Sequence, residues 1–139
     1  MSFSDSGQAS IRWTEEMSTG IPELDEQHHQ LIVIIAQLSE ALRHGRGEDE
    51  VRDTLASLAD YAQRHFKLEE LCMSNYSCPT ARQNETAHER FLSNLEAFKE
   101  RLDREGASAD LARDVHSDLG LWLVNHILRT DVCLRSCVG

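Results

Sequence analysis

Residues 51–72, VRDTLASLADYAQRHFKLEELC, decide the fold of this chain. Every third or fourth residue of the stretch lies on one face: Val51, Leu55, Leu58, Ala62, His65, Glu69 and Cys72. This spacing is the period of an amphipathic helix with a single buried stripe. The stripe begins apolar and then places an imidazole and a carboxylate one turn apart. The stretch therefore predicts a core helix that carries a polar site toward one end.

Three further stretches carry stripes with the same period. They are Leu24, His28, Leu31, Ile35, Leu38 and Leu42; Ala81, Asn84, His88, Phe91, Leu95, Phe98 and Leu102; and Leu111, Val115, Leu119, Trp122 and His126. Four amphipathic helices joined by short loops bury their stripes against one another in a bundle. We predict an all-α fold, an antiparallel up-down-up-down four-helix bundle with an N-terminal arm. Its helices should lie near 22–44, 50–74, 80–105 and 109–130.

Turn residues agree with these boundaries. Pro22 suits the first turn of the first helix, and Gly45 and Gly47 should end that helix. Thr80 and Ser108 are candidate N-caps for the third and fourth helices because their hydroxyls can accept a bond from a free backbone N–H. The helices are therefore expected to be separated by short loops.

The chain is long enough for one domain with a substantial core, and we treat 1–139 as a single unit. Residues 1–20 form an N-terminal arm that contains Trp13, residues 21–131 form the bundle, and residues 132–139 form a C-terminal tail. The tail has no capping signal, which is compatible with a domain of a longer polypeptide.

The charge balance excludes several classes of partner. The chain has 14 Lys and Arg against 24 Asp and Glu, a formal charge of −10. Nucleic acids and anionic membranes need a basic face, so we expect neither as a partner. No apolar run approaches the roughly 20 residues of a membrane span. The first residues do not resemble a signal peptide, and we therefore expect a cytoplasmic protein.

The four cysteines are Cys72, Cys78, Cys133 and Cys137. Their spacing forms neither a CxxC pair nor a zinc-finger pattern. In a reducing compartment we expect free thiols. Packing is the simplest role for the last two cysteines, although a thiol near a redox metal could be oxidised.

The stripes place polar residues where a core should be apolar: His28, His65, Glu69, His88 and His126. A buried carboxylate without a partner is costly, and a bound cation reverses that cost because it favours ionised carboxylate and neutral imidazole. Imidazole together with carboxylate suits iron, and carboxylates can bridge two metals. Asp131 is five residues beyond His126, about 140° round an ideal helix. Its side chain reaches the site only if the helix ends, kinks or carries a π-bulge between them.

These segments resemble a bacterial hemerythrin domain over nearly the whole chain. The matching motifs are GIPELDEQH at 20–28, HFKLEE at 65–70, HERF at 88–91, and WLVNHI at 122–127 with Asp131. The resemblance implies two iron ions joined by an oxo or hydroxo bridge, with dioxygen bound reversibly at the iron that has an open position. It implies that His28 and His65 bind one iron, that His88 and His126 bind the other, and that Glu69 and Asp131 bridge them. Trp122 is expected to shield the irons.

One position departs from the family pattern, which usually has His-x3-His on the third helix. The first of these positions is Asn84 here. An asparagine oxygen is a weak donor to iron, so one iron loses an imidazole. Water or a small anion could fill the vacancy, Glu85 could swing in to make a Glu-x2-His pair, or the second iron could bind poorly.

Three functions compete at this point. The first is an oxygen or redox sensor, the input module of a larger signalling protein with a covalently fused output domain. The second is a stand-alone protein that binds or delivers oxygen. An enzyme such as a peroxidase or oxidase ranks last because no organised acid–base pair lies beside the expected site.

Overall fold

A computed structural model describes the backbone of residues 12–138 and the side chains within it, except those of 130–133 and 136–138. Three helices, α1 (Pro22–Arg43), α2 (Gly47–Asn75) and α3 (Ala81–Glu105), form three rods of a bundle. The fourth rod consists of α4 (Ala109–Val115), a π-helical turn (His116–Gly120) and α5 (Leu121–Val138). No strand occurs in the described backbone. The all-α four-helix prediction is confirmed.

The predicted stripes form the core. Sixteen buried residues make one continuous apolar cluster across all four rods, among them Leu31, Leu58, Phe91 and Leu119. Their helices are joined by short loops at 44–46, 76–80 and 106–108, and short connections make consecutive helices antiparallel neighbours. The apolar cluster occupies one part of the bundle, and the buried histidines continue the same stripes beyond it.

The first loop depends on two glycines. Gly45 has a φ of +70°, a left-handed conformation that glycine adopts without strain. Gly47 does not end the first helix as the sequence predicted, because it is the first residue of α2. A Cβ atom there would lie 2.6 Å from Leu42 Cδ2 and 2.9 Å from the Cβ of Ala112. Gly47 therefore permits close packing of this corner against α4.

The predicted caps have different outcomes. Ser108 precedes α4 and its hydroxyl accepts a hydrogen bond from the backbone N–H of Leu111 at 3.0 Å. Thr80 holds the N-cap position of α3 but its side chain makes no capping bond. Gly106 ends α3 with a φ of +82°.

The fourth rod contains the main departure from prediction. A π-helical turn occurs at His116–Gly120, ahead of His126 rather than between His126 and Asp131. The backbone beyond it is α-helical to Val138, so the predicted end near residue 130 is wrong. Sixteen residues of uniform α-helix would turn Ile127 about 160° away from Leu111. The π-helical turn accommodates one extra residue, so the rotation between Leu111 and Ile127 falls to about 60°. Both side chains are therefore buried.

The arm packs on the bundle between α1 and α5. A 3₁₀ turn at Glu15–Met17 buries Met17 in a cluster with Ile32 and Ile127. The guanidinium of Arg135 donates to the backbone carbonyl of Ser18 at 2.8 Å. The N-terminal segment is thus attached to the helix that carries His126.

The prediction of free cysteines is wrong for Cys78. Cys72 is a free thiol, whereas Cys78 is disulfide-bonded. Burial raises the pKa of Cys72, so its thiol stays protonated. The side chains of Cys133 and Cys137 lie outside the described residues.

Within the described part of the chain, no helix is long and apolar enough to cross a membrane.

Candidate metal centre

The carboxylate of Glu69 lies at the centre of the buried histidines and is fully buried itself. Its Oε2 atom is 3.0 Å from His28 Nε2 and 3.2 Å from His65 Nε2. Its Oε1 atom is 2.8 Å from His88 Nε2 and 3.2 Å from His126 Nε2. One carboxylate therefore presents each of its oxygens to a different pair of imidazoles.

Two adjacent metal positions follow from this arrangement. The donor atoms of His28, His65 and Glu69 lie within 4.8 Å of one another, as do those of Glu69, His88 and His126. The two triads share only Glu69. This is the geometry of a carboxylate that can bridge two metal ions in a helical bundle.

The outer nitrogens of two histidines fix how their rings face the site. His65 Nδ1 donates to Gln27 Oε1 at 2.8 Å, and His88 Nδ1 donates to Glu70 Oε2 at 2.8 Å. A neutral ring that donates through Nδ1 carries its lone pair on Nε2. Both Nε2 atoms therefore point at Glu69, the orientation required of metal ligands.

The lowered pKa of His65 indicates that a cation binds between His65 and Glu69. Burial lowers the pKa of His65, although the neighbouring carboxylate acts in the opposite direction, so the ring is neutral near neutral pH. Its Nε2 lone pair then faces the Glu69 oxygen at 3.2 Å. Two acceptors at that distance repel each other unless a cation lies between them. The donor set thus fits a metal, and it fits iron by its mixture of imidazole and carboxylate.

Glu69 itself is ionised. Burial by itself would raise its pKa, but hydrogen bonding to the imidazoles around it, with His126 and His28 foremost, holds the pKa well below the usual range. Burial also lowers the pKa of His126, which favours the neutral ring. An ionised carboxylate among neutral imidazoles is the protonation state that metals require.

An aromatic layer covers one side of the His88 and His126 half of the site. The ring of Phe66 stacks on His88 with centroids 3.9 Å apart, and Trp122 stacks on His126 at 4.5 Å. Phe91 packs against both aromatic rings. This layer separates the polar site from the main core and shields that side from water, in the place expected for Trp122.

Asn84 belongs to the site, but as a hydrogen-bond donor to the central carboxylate. Its side chain is buried, and its Nδ2 atom donates to Glu69 Oε1 at 3.0 Å. Glu85 is exposed and does not join the cluster. The structure therefore offers no support for Glu85 as a ligand.

A cavity of about 190 Å³ lies beside Asn84. Its wall is formed by residues from the end of α2, the first turns of α3 and one face of α5: Met73, Thr80, Gln83, Asn84, Ala87, His126 and Arg129. The cavity thus borders the half-site where the family pattern has an additional imidazole.

The structure brings together five of the six residues expected to bind metal. The side chain of Asp131, the sixth, lies outside the described residues. Sequence reasoning missed Gln27 and Glu70, the partners of His65 and His88. Each is adjacent to an expected ligand in sequence, so it projects about 100° away on its own helix. A periodic stripe cannot identify such residues, because their targets lie on other helices.

Comparison with known proteins agrees with the site. The family model described as Hemerythrin HHE cation binding domain matches residues 19–132. That match covers the bundle from the start of α1 to beyond Asp131.

Individual relatives are more distant. A bacteriohemerythrin of Pseudomonas aeruginosa is 28% identical over 123 residues, which cover 88% of this chain and 78% of the relative. A bacteriohemerythrin of Methylococcus capsulatus is 24% identical over 132 residues, 94% of this chain and 98% of the relative. One from Clostridium acetobutylicum is 24% identical over 86% of this chain and 94% of its own length.

Proposed function

This chain belongs to the hemerythrin HHE cation-binding family, and from that premise we propose that it is a di-iron domain that binds dioxygen and senses oxygen or redox state. One observation carries the metal assignment: the Nε2 atom of His65, whose Nδ1 atom donates to Gln27, lies 3.2 Å from a carboxylate oxygen of Glu69. That contact is favourable with a cation between the two atoms.

The residues divide into two half-sites. His28 and His65 would hold one iron, His88 and His126 the other, and Glu69 would bridge them. Asp131 would add a second bridge, as the family resemblance implies. When bound, the iron pair supplies the electrons for reversible dioxygen binding, the chemistry of hemerythrins. The surrounding protein supplies neutral imidazoles, an ionised bridge and an aromatic layer that excludes water.

The His88 half-site would keep an exchangeable position. Asn84 donates to Glu69 rather than offering its oxygen to this half-site. The adjacent cavity could admit water or a small anion. A site that is open in this way should be oxidised readily, which suits a sensor better than a carrier that must release dioxygen intact.

Contacts of the arm support the sensing role. Ile127 follows His126 directly and packs with Met17 of the arm. Arg135 on the same helix donates to the carbonyl oxygens of Glu16 and Ser18. A change in the position of His126 would therefore move α5, which the arm also contacts. That movement would shift the equilibrium between two arrangements of the arm.

The metal assignment is tested by iron content together with optical spectra of the reduced and oxidised protein. Two irons per chain are expected, and Asp131→Ala should lose a bridge and most of the bound iron. Full iron retention in Asp131→Ala would show that Asp131 is not a metal ligand.

The sensing role is tested by hydrogen exchange of the reduced and oxidised protein. Exchange in residues 12–20 and in the last turns of α5 should differ between the two states. Trp13 stacks on His29 with ring centroids 5.7 Å apart, so its fluorescence provides a second report once quenching by the cluster is corrected. Identical exchange and fluorescence in both states would refute sensing and leave oxygen binding intact.

A stand-alone oxygen-binding or delivery protein is the second candidate. The likeness to relatives named bacteriohemerythrin, such as the one from Methylococcus capsulatus, favours it. An output domain encoded in the same gene would favour the sensor instead. Hemerythrins are oxygen-binding or sensing proteins rather than enzymes. Measured turnover of peroxide would therefore be needed to support an oxidase or peroxidase function.

A further inference from the structure

The cavity beside Asn84 has the composition of an anion-binding site. We propose that it binds a small carboxylate, of the size of formate or acetate, next to the half-site of His88 and His126. The inference rests on the proposed iron site, and it names the class of ligand that would occupy the exchangeable position.

Arg129 supplies the positive charge. It lines the cavity, and it makes no ion pair with any other side chain that the structure describes. It lies three residues after His126 on α5, so the two side chains share a helix face. A guanidinium presents parallel N–H donors that match the two oxygens of a carboxylate. An anion held by Arg129 would therefore lie beside the imidazole of His126.

The opposite wall offers neutral hydrogen-bonding groups. Gln83 and Asn84 provide amides from the first turns of α3. Thr80 also lines the cavity, and its Oγ1 atom is buried without a hydrogen-bond partner. A buried hydroxyl without a partner is destabilising, and rotation of the Thr80 side chain toward the cavity would let the hydroxyl donate to a carboxylate oxygen. The positive end of the α3 dipole also favours an anion here.

The size and apolar part of the cavity fit a small organic anion. Its volume of about 190 Å³ leaves space for a small anion of the size of formate or acetate. Met73 and Ala87 contribute apolar wall, which suits the methyl group of acetate. A carboxylate oxygen is also a hard anionic donor that suits ferric iron better than the neutral amide of Asn84 does.

The experiment titrates the whole chain, loaded with zinc or with ferric iron, against acetate and against acetamide. Acetamide has the shape of acetate without its charge. Calorimetry on the zinc form and the optical spectrum of the ferric form should both report acetate binding and no acetamide binding. Equal responses to the two probes, or no response to either, would overturn the proposal.

Variants locate the site. Arg129→Gln should weaken acetate binding roughly tenfold, the effect of losing one charge-assisted hydrogen bond. Arg129→Lys should retain part of the affinity. Arg52→Gln is the matched control, since Arg52 is an exposed arginine on α2 away from the cavity. An unchanged affinity in Arg129→Gln, or an equal loss in Arg52→Gln, would show that acetate binds elsewhere.

The outcome is separable from the proposed function. A chain that takes up two irons and binds dioxygen, but shows no Arg129-dependent acetate binding, refutes only the carboxylate site. A chain that fails to take up two metals, yet binds acetate in an Arg129-dependent way, refutes the di-iron function and supports the cavity assignment.

Discussion

The Nε2 atom of His88 lies 2.9 Å from the Nε2 atom of His126. The hydrogen bond from His88 Nδ1 to Glu70 Oε2 orients the ring so that its Nε2 atom faces this contact. Two imidazole nitrogens that are each about 2.1 Å from one metal ion, and at right angles to each other, lie about 3.0 Å apart. The observed separation therefore matches two ligands on a single metal ion.

Replacing Glu69 by glutamine should remove the bridge while keeping the side-chain size. The amide has one acceptor oxygen instead of two and carries no charge, so one half-site loses its oxygen ligand and the other keeps only a neutral one. We expect iron to fall from two ions per chain to one or none, measured by a colorimetric iron assay. The control is Glu89→Gln, an exposed position on α3. Two retained irons in folded Glu69→Gln would contradict the bridging role.

Removing the partner of His88 should weaken metal binding without touching a ligand. Glu70→Ala leaves His88 Nδ1 without the acceptor that fixes its ring, and losses of this kind cost about 10- to 100-fold in metal affinity. Glu70→Gln keeps an acceptor oxygen and should recover much of that loss. Competition with a chelator measures the affinity. If Ala and Gln behave alike, the hydrogen bond to His88 does not contribute.

The π-helical turn predicts opposite effects of a deletion and an insertion. Deleting exposed Ser117 should convert the turn to regular α-helix. His126 then keeps its present orientation around the helix axis, so iron loading is kept. Inserting one alanine after Ser117 should rotate His126 by about 100° and halve the bound iron. Circular dichroism verifies that both variants fold. Equal iron loss in the two variants would show that the turn itself is required.

The stripes were sufficient to predict the four rods, since periodicity records which face of a helix is buried. The first three helices begin and end within three residues of their predicted limits. Five expected ligands were identified from the same periodicity, because a polar residue within a buried stripe must have a partner. His28 and Glu69 illustrate this point, since both are fully buried.

Other features had no periodic signal. The π-helical turn is an extra residue that only packing across the bundle reveals, as Leu111 and Ile127 show. The partnerships of Glu70 with His88 and of Asn84 with Glu69 join separate helices. The cysteine prediction failed because spacing along the chain does not report proximity in space, and Cys78 is disulfide-bonded.

The metal-free protein should lose stability as the pH falls below about 6.5, the model-compound value of the histidine pKa. Burial lowers the pKa of His65, His116 and His126. The unfolded chain therefore takes up protons first, and stability present above 6.5 is lost as the pH decreases. The depressed pKa of Glu69 acts in the same direction at lower pH.

Urea unfolding of the metal-free protein between pH 8 and pH 5 measures this effect. Bound metal keeps the imidazoles neutral, so the metal-loaded protein should resist acid until protons displace the metal. His116→Gln, which is outside the metal centre, should reduce the pH dependence only in part. A free energy of unfolding that is constant across this range would contradict the assigned protonation states.

Replacing Asn84 by histidine should close the exchangeable position. The residue is already buried in the α3 stripe beside the cavity, so the larger ring has space and needs little backbone movement. The new imidazole can reach the iron held by His88 and His126, although the hydrogen bond to Glu69 is lost. Autoxidation of the reduced protein should slow, because solvent and protons reach the iron less easily, and azide should bind more weakly.

Stopped-flow spectroscopy measures the autoxidation rate and the azide affinity, with Thr86→His as a control that adds an imidazole at an exposed position. Unchanged rates in an Asn84→His protein whose new imidazole is shown to bind iron would contradict the exchangeable position. A structure of the iron-loaded protein with Glu85 bound to the metal would instead favour Glu85 as the ligand that fills this position.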